Sequence, residues 1–148
     1  FFCHNESFLE LNGKKSINNY SNNFEFNNTL VKQLFVRNLF STSAVVCSKK
    51  ILLKHFGFNE SLKSAQDYEM WLRMATDISL VFINEILGTY IMRQGNISTS
   101  NYWLRLYNII KIKIIHRNKV NSLICIKTII TDLVLHLAIP VLKKIKII

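Results

Sequence analysis

Apolar residues recur with helical spacing in the middle of the chain. The clearest case follows Gly57, where residues at i, i+3, i+4 and i+7 form one apolar stripe, namely Tyr68, Trp71, Leu72 and Ala75. This stripe predicts a buried helix that begins near Gln66. Similar spacing predicts a short amphipathic helix within 30–40 and another from Lys49 to His55, which Gly57 closes as a left-handed C-terminal cap.

Alternating and β-branched runs predict the strands. Loose alternation over 1–11, followed by a turn at Asn12 and Gly13, predicts an edge strand that enters a hairpin. We expect a mobile polar loop over 16–29 and a buried strand over 44–47. Two apolar runs, 78–83 and 87–92, are separated by two polar residues and predict two strands, or one strand and a short connector.

The last third of the chain predicts two helices. Residues 102–115 form a basic amphipathic helix, which can pack on its own domain or lie in a membrane interface; its apolar side carries Leu106, Tyr107, Ile110 and Ile114. Residues 120–142 are long enough to span a bilayer, but their insertion energy is near zero because Lys127, Asp132 and His136 interrupt the apolar run. The alternatives are therefore that this segment spans the membrane, lies on it or avoids it. We expect Pro140 to end this helix.

A short basic segment follows, with Lys143, Lys144 and Lys146, and it suits anionic head groups. The pattern divides the chain into a domain at 1–100 and a basic helical tail at 101–148. We expect a cytoplasmic protein that is peripheral to the inner face of a membrane.

Composition narrows the class of protein. A chain of 148 residues with 49% apolar residues can bury the core of one domain, which excludes a disordered protein. The net charge of +10 indicates an anionic partner, such as a phosphorylated sugar, a membrane surface or nucleic acid. Nucleic acid is disfavoured because the cations cluster with Ile and Leu. Three cysteines outside any C-x-x-C pattern predict neither a disulfide framework nor a zinc site and fit a reducing compartment.

Asp67 is the candidate for chemistry. It lies in the first turn of the helix predicted after Gly57, at the rim of its apolar stripe. A carboxylate held by a buried, rigid helix at a cleft can act as a general base, because catalysis of this kind depends first on position. The alternative is an ordinary helix N-terminal charge, which the helix dipole favours in any protein.

A longer motif runs through Asp67. It reads Gly57-Phe58-Asn59-Glu60-Ser61-Leu62, a short spacer, then Gln66-Asp67-Tyr68-Glu69-Met70-Trp71-Leu72-Arg73. The motif resembles the C-terminal half of family 2 glycosyltransferases, whose usual form is G-x-F-D-E, a spacer, then E-D-x-D/E-x-W-L-R. Asn59 and Gln66 replace two acids of that form, and Asp67 keeps the catalytic one. The resemblance covers roughly 1–100 and implies an α/β protein with part of the nucleotide-diphospho-sugar transferase (GT-A) fold, followed by the helical tail.

The implied activity is transfer of a sugar from a nucleotide-sugar donor to an acceptor hydroxyl with inversion, in surface polysaccharide synthesis. Asp67 would be the catalytic base, with Gln66 beside it in the substrate site. The resemblance also implies that the polar run before the predicted strand lines the donor-sugar pocket, which here is Ser41, Thr42 and Ser43. The alternative for that run is a turn that ends the preceding helix.

Arg93 and Ser98 loosely match residues that lie near the donor diphosphate in the family. A guanidinium suits a diphosphate because it can donate two hydrogen bonds while neutralising charge. The alternative for Arg93 is a solvated cation at the end of a strand.

The family holds a divalent metal, Mg or Mn, through an Asp-x-Asp. This chain has aspartates only at 67, 77 and 132, so the ligands of the metal expected for the full-length enzyme are absent from it. We therefore expect the chain to be a fragment that is inactive alone, with a glycan or lipid-linked acceptor as its second substrate. The alternative function is a non-catalytic, peripheral membrane-binding module.

Overall fold

The computed structural model of the chain describes residues 1–95 and 101–144, with side chains as far as Ala138. Within those residues the protein is mixed α/β, with an open four-stranded sheet and a long C-terminal helix. The elements follow in the order β1 Phe2–Leu9, β2 Lys15–Asn18, α1 Leu30–Val36, β3 Val45–Val46, α2 Lys49–Lys54, α3 Gln66–Met74, β4 Val81–Ile91, α4 Tyr102–Ile115 and α5 Ser122–Lys144.

The first strand, β1, lies inside the sheet, so its prediction as an edge strand was wrong. Its antiparallel neighbours are β2, with Glu6 opposite Asn18, and β3, with Cys3 opposite Val45. Its other edge pairs in parallel with β4 along the whole strand. The predicted hairpin is confirmed, because β1 and β2 are joined through a turn in which Gly13 has φ of 82°.

The two apolar runs, predicted as two strands or as one strand and a short connector, fall largely within one strand, β4, which starts at Val81 and ends at Ile91. Its register against β1 shifts twice, since His4 pairs with Ile83, Asn5 with Ile86 and Glu6 with Gly88. These shifts are bulges, in which extra residues are accommodated without ending the strand. The polar pair that separates the two runs falls at the first bulge.

Three other boundaries differ from prediction. Residues 16–18 of the predicted loop belong to β2, where they pair with β1. The helix predicted over 30–40 ends at Val36. The strand predicted over 44–47 consists of two residues, Val45 and Val46, and its prediction as a buried strand was wrong because Val46 is 60% exposed. The helix at 49–54 is confirmed, and Gly57 closes it with φ of 64° and an N–H that donates to Leu52 O at 2.9 Å.

The core is built around α3, as the apolar stripe predicted. Tyr68, Trp71, Leu72 and Ala75 are all buried. The Trp71 ring makes an edge-to-face contact with Phe1, with centroids 5.2 Å apart. The Tyr68 hydroxyl donates to Phe35 O at 3.3 Å and so joins α3 to α1.

The helices α4 and α5 pack on this same core, to which Ile112 and Cys125 contribute. The apolar side predicted for α4 was only partly right, because Leu106 is buried while Tyr107 and Ile114 are exposed. The prediction that Pro140 ends the last helix was wrong, since α5 continues to Lys144. Among the described residues, no helix is long and apolar enough to cross a membrane.

Candidate functional site

An open cleft of about 1050 Å³ lies at the N-terminus of α3. The end of α1, the end of β4 and parts of α4 and α5 complete its walls. Its charged lining residues are Arg37, Arg93, Arg105, Lys113, Glu60, Asp67 and Asp132. The cleft therefore carries one more cation than carboxylate, which suits an anionic ligand.

Asp67 lies in the first turn of α3, where the sequence predicted it, and lines this cleft. Ala65, the residue before the helix, has φ of 61° and turns the chain sharply into α3. One carboxylate oxygen, Oδ1, accepts the backbone N–H of Tyr68 at 2.7 Å. The other, Oδ2, accepts longer hydrogen bonds of 3.3 Å from Asn38 Nδ2 and from Thr42 Oγ1. The carboxylate is thus held in position with Oδ2 only loosely bound.

The predicted run 41–43 lies at a 3₁₀ turn, Thr42–Ala44, which Ser41 precedes as the N-cap residue. The hydroxyls of this run bind two different carboxylates. Only Thr42 lines the cleft and contacts Asp67. Ser41 Oγ and Ser43 Oγ each donate to the Glu6 carboxylate at 2.5 Å. Of the three predicted pocket residues, the structure therefore brings Thr42 to Asp67 and directs both serines to another acid.

Glu6 was not predicted as a site residue. It is fully buried on β1 and accepts a third hydrogen bond, from the Tyr20 hydroxyl at 2.7 Å. Burial, together with the carboxylate of Glu6, raises the pKa of Tyr20 to about 12. A Cβ on Gly88, the residue that pairs with Glu6, would lie 3.3 Å from His4 Cε1 and 3.8 Å from Glu6 Oε1, so glycine leaves room for the packed side chains of β1.

The other predicted site residues are spread along the cleft. Gln66 and Arg93 both line it, and the Gln66 amide donates to Leu62 O at 2.6 Å. Arg93 is exposed just after the end of β4. Ser98 lies outside the described residues.

A buried ion pair forms the far wall of the cleft. Lys113 on α4 is 1% exposed, and its Nζ donates to Asp132 on α5 at 2.6 Å and to Val36 O at 3.2 Å. Burial lowers the pKa of Lys113, and the pairing with Asp132 opposes that change. The acceptor Val36 O belongs to the last turn of α1, where a cation also interacts favourably with the helix dipole.

A second ionic cluster fixes the glycine turn to α3. Arg73 binds Glu69 through two hydrogen bonds and also donates to His55 O and Gly57 O. His116 Nε2 lies 3.1 Å from Glu69 Oε1. Burial acts to raise the pKa of Glu69, but the hydrogen bonds and charges of His116 and Arg73 outweigh it and lower that pKa. Glu69 and Arg73 belong to the motif, but they do not line the cleft. They therefore stabilise the fold.

Some of these features could have been found in the sequence. Asp132 is the single acid of an apolar segment that follows a basic helix, and a carboxylate buried in such a segment is expected to pair with a cation. Glu6 has no such signal, because the turn that binds it is distant in the sequence. Within the described ranges, no cluster of three His, Cys, Asp or Glu side chains could hold a metal ion.

Comparisons with known proteins add no identification. No protein-family model, no curated protein and no solved structure matches this chain.

Proposed function

We propose that this chain is the acceptor-side half of a family 2 glycosyltransferase with the GT-A fold, and that Asp67 is the base of an inverting sugar transfer. The observation that carries the proposal is the position of Asp67, a carboxylate fixed at the start of a buried helix and exposed to a cleft of about 1050 Å³. Clefts that bind small molecules usually have a volume of about 300–1000 Å³. This cleft therefore has room for a sugar and part of the group next to that sugar.

The proposed step needs one proton acceptor. The acceptor hydroxyl attacks the anomeric carbon, the bond from that carbon to the nucleotide diphosphate breaks on the opposite face, and the hydroxyl proton goes to Asp67. Asp67 Oδ2 suits this role because its hydrogen bonds from Asn38 and Thr42 are 3.3 Å long and can be exchanged for one from the substrate.

Charge in the cleft supports an anionic donor. The lining contains four cations, Arg37, Arg93, Arg105 and Lys113, against three carboxylates, those of Glu60, Asp67 and Asp132. Arg93, at the end of β4, is the residue we assign to the leaving diphosphate. The described residues supply no ligand set for the family's divalent metal, so no step is assigned to one.

The remaining parts of the proposal follow the resemblance. The donor is a nucleotide sugar, the acceptor is a glycan or lipid-linked sugar, and the product enters surface polysaccharide at the inner face of the membrane. Ser41 and Ser43 hold the turn in place through their hydrogen bonds to Glu6. Thr42 and Gln66 line the cleft themselves.

The test is Asp67→Asn in the complete protein, with Asp77→Asn as the matched control. Asp77 is paired with Lys54 and does not line the cleft. We expect Asp67→Asn to lower the transfer rate by about 10²–10⁴-fold while donor affinity is unchanged, as for loss of a general base. Near-normal transfer by Asp67→Asn would remove Asp67 from the mechanism. Absence of transfer by the native complete protein would instead favour the non-catalytic membrane module.

A further inference from the structure

The last helix, α5, is apolar on two opposite sides. One side packs on the protein through buried Cys125 and Thr128 and partly buried Ile124 and Ile129. The other side, which we call the outer face of α5, has six aliphatic residues that are each at least 38% exposed, namely Leu123, Ile126, Ile130, Leu133, Val134 and Leu137. At 100° per residue these six fall within one stripe about 100° wide.

An aliphatic outer face is unusual on a helix at the solvent-exposed surface of a protein. A helix at a protein surface normally has one apolar stripe toward the core and charged or polar residues opposite it. Here the side opposite the core is continuous aliphatic surface, which indicates a site of contact with another apolar phase or molecule.

The charge of the chain is concentrated in the sequence segment that contains α4 and α5. Residues 101–148 contain nine lysines and arginines and a single aspartate, and so carry +8 of the net +10. That aspartate, Asp132, is already paired with Lys113. Exposed cations lie on both helices and between them: Lys111 on α4, Arg117 on the connection and Lys127 on α5. The partner of this surface must therefore be both apolar and anionic.

We propose that the outer face of α5 docks on an anionic lipid surface, with the helix lying in the interface. Aliphatic side chains enter the region of the acyl chains, while the surrounding lysines and arginines contact the head groups. A second copy of the chain fits less well, because it would bring two segments of +8 together. This inference does not rest on sugar transfer, since it concerns a surface that binds whether or not the chain is an enzyme.

The experiment is sedimentation of the full chain with vesicles of phosphatidylcholine alone and of phosphatidylcholine mixed equally with phosphatidylglycerol. We expect binding to the mixed vesicles, weakened by high salt, and little binding to the neutral ones. The double variant Ile126→Gln/Ile130→Gln should lower partition onto mixed vesicles about tenfold or more, because two aliphatic side chains no longer enter the lipid. Its matched control is Ile17→Gln/Leu53→Gln, which changes equally exposed aliphatic residues outside α5 and should bind as the native chain does.

A second pair of variants tests the charges. Lys111→Gln/Lys127→Gln should weaken binding and reduce its salt dependence, whereas Lys14→Gln/Lys15→Gln, in and just after the β1–β2 turn, should have little effect. Equal loss from both aliphatic pairs, or no binding to mixed vesicles, would overturn the proposal. A different result would identify a second copy of the chain as the occupant. In that case the protein would not bind vesicles, light scattering would show a dimer, and Ile126→Gln/Ile130→Gln would dissociate it.

Discussion

Thr42 and Ser43 are neighbours in one turn, and their hydroxyls bind carboxylates on two different elements of the fold. Thr42 Oγ1 donates to Asp67 on α3 at 3.3 Å, and Ser43 Oγ donates to Glu6 on β1 at 2.5 Å. Because Ser41 also binds Glu6, the turn is fixed to the sheet on one side and contacts the cleft on the other. The position of Thr42 in the cleft thus depends on Glu6, whose carboxylate is fully buried.

This arrangement predicts different effects from two similar mutations. Ser43→Ala should lower the free energy of unfolding by about 1–3 kcal/mol, because it leaves an oxygen of the buried Glu6 carboxylate without a donor. Thr42→Val removes a longer hydrogen bond at the exposed turn and should cost less than about 1 kcal/mol. Urea unfolding of both variants measures the difference, and equal losses would contradict the separate roles of the two hydroxyls.

The buried pair of Lys113 and Asp132 predicts strong coupling. Lys113→Met leaves the Asp132 carboxylate facing the cleft without its cation and should destabilise the protein by about 3–5 kcal/mol. The double variant Lys113→Met/Asp132→Leu should recover most of that loss, because no unpaired charge remains. A double-mutant cycle by denaturant unfolding gives the coupling energy, and additive effects of the two changes would show that the pair contributes no coupling.

The Glu69 cluster predicts a loss of stability in acid. The pKa of Glu69 is lowered by folding, so its contribution is fully present above its usual pKa of 4.5 and is lost as the pH falls through the lowered value. Native protein should therefore lose more stability between pH 6 and about 3 than Glu69→Gln does. Asp77, whose pKa Lys54 and His55 also lower, is unchanged in both proteins and cancels in the comparison. Parallel stability curves for the two proteins would argue against this role of Glu69.

The two tryptophans provide a matched test of the core. Trp71 is 2% exposed and contacts the rings of Phe1 and Phe58, whereas Trp103 is 58% exposed. Trp71→Ala should destabilise by about 3–5 kcal/mol, and Trp103→Ala should change stability by less than about 1 kcal/mol. Trp71 Nε1 is buried and has no hydrogen-bond partner in the described part of the chain, so Trp71→Phe should cost less than Trp71→Ala. Similar melting temperatures for native protein and Trp71→Ala would contradict the packing of α3.

Local pattern was enough to predict α3 and α2, and distant pairing was not. The stripe from Tyr68 to Ala75 is a property of eight consecutive residues, and it was enough to predict the helix, its buried side and the position of Asp67 at the rim of that side. The central position of β1 depends on its pairing with β4, which is distant from β1 in the sequence. The bulges of β4 interrupt its apolar pattern, so that one strand reads as two apolar runs. The roles of Ser41 and Ser43 depend on Glu6 in the same way, because only the tertiary fold brings them together.

The pairing of β1 with β4 also sets the order in which the chain can fold. Phe2 pairs with Val81 and Leu9 with Ile91, so these contacts join segments that are far apart in the sequence. Such contacts form slowly, because a long loop must close before any hydrogen bond is gained. On the ribosome, β1 leaves the exit tunnel before β4 is synthesised, and α1, α2 and α3 can form in the interval. We expect the pairing of β1 with β4 to form later than α1, α2 and α3, and Glu6 to stay open to water until it does.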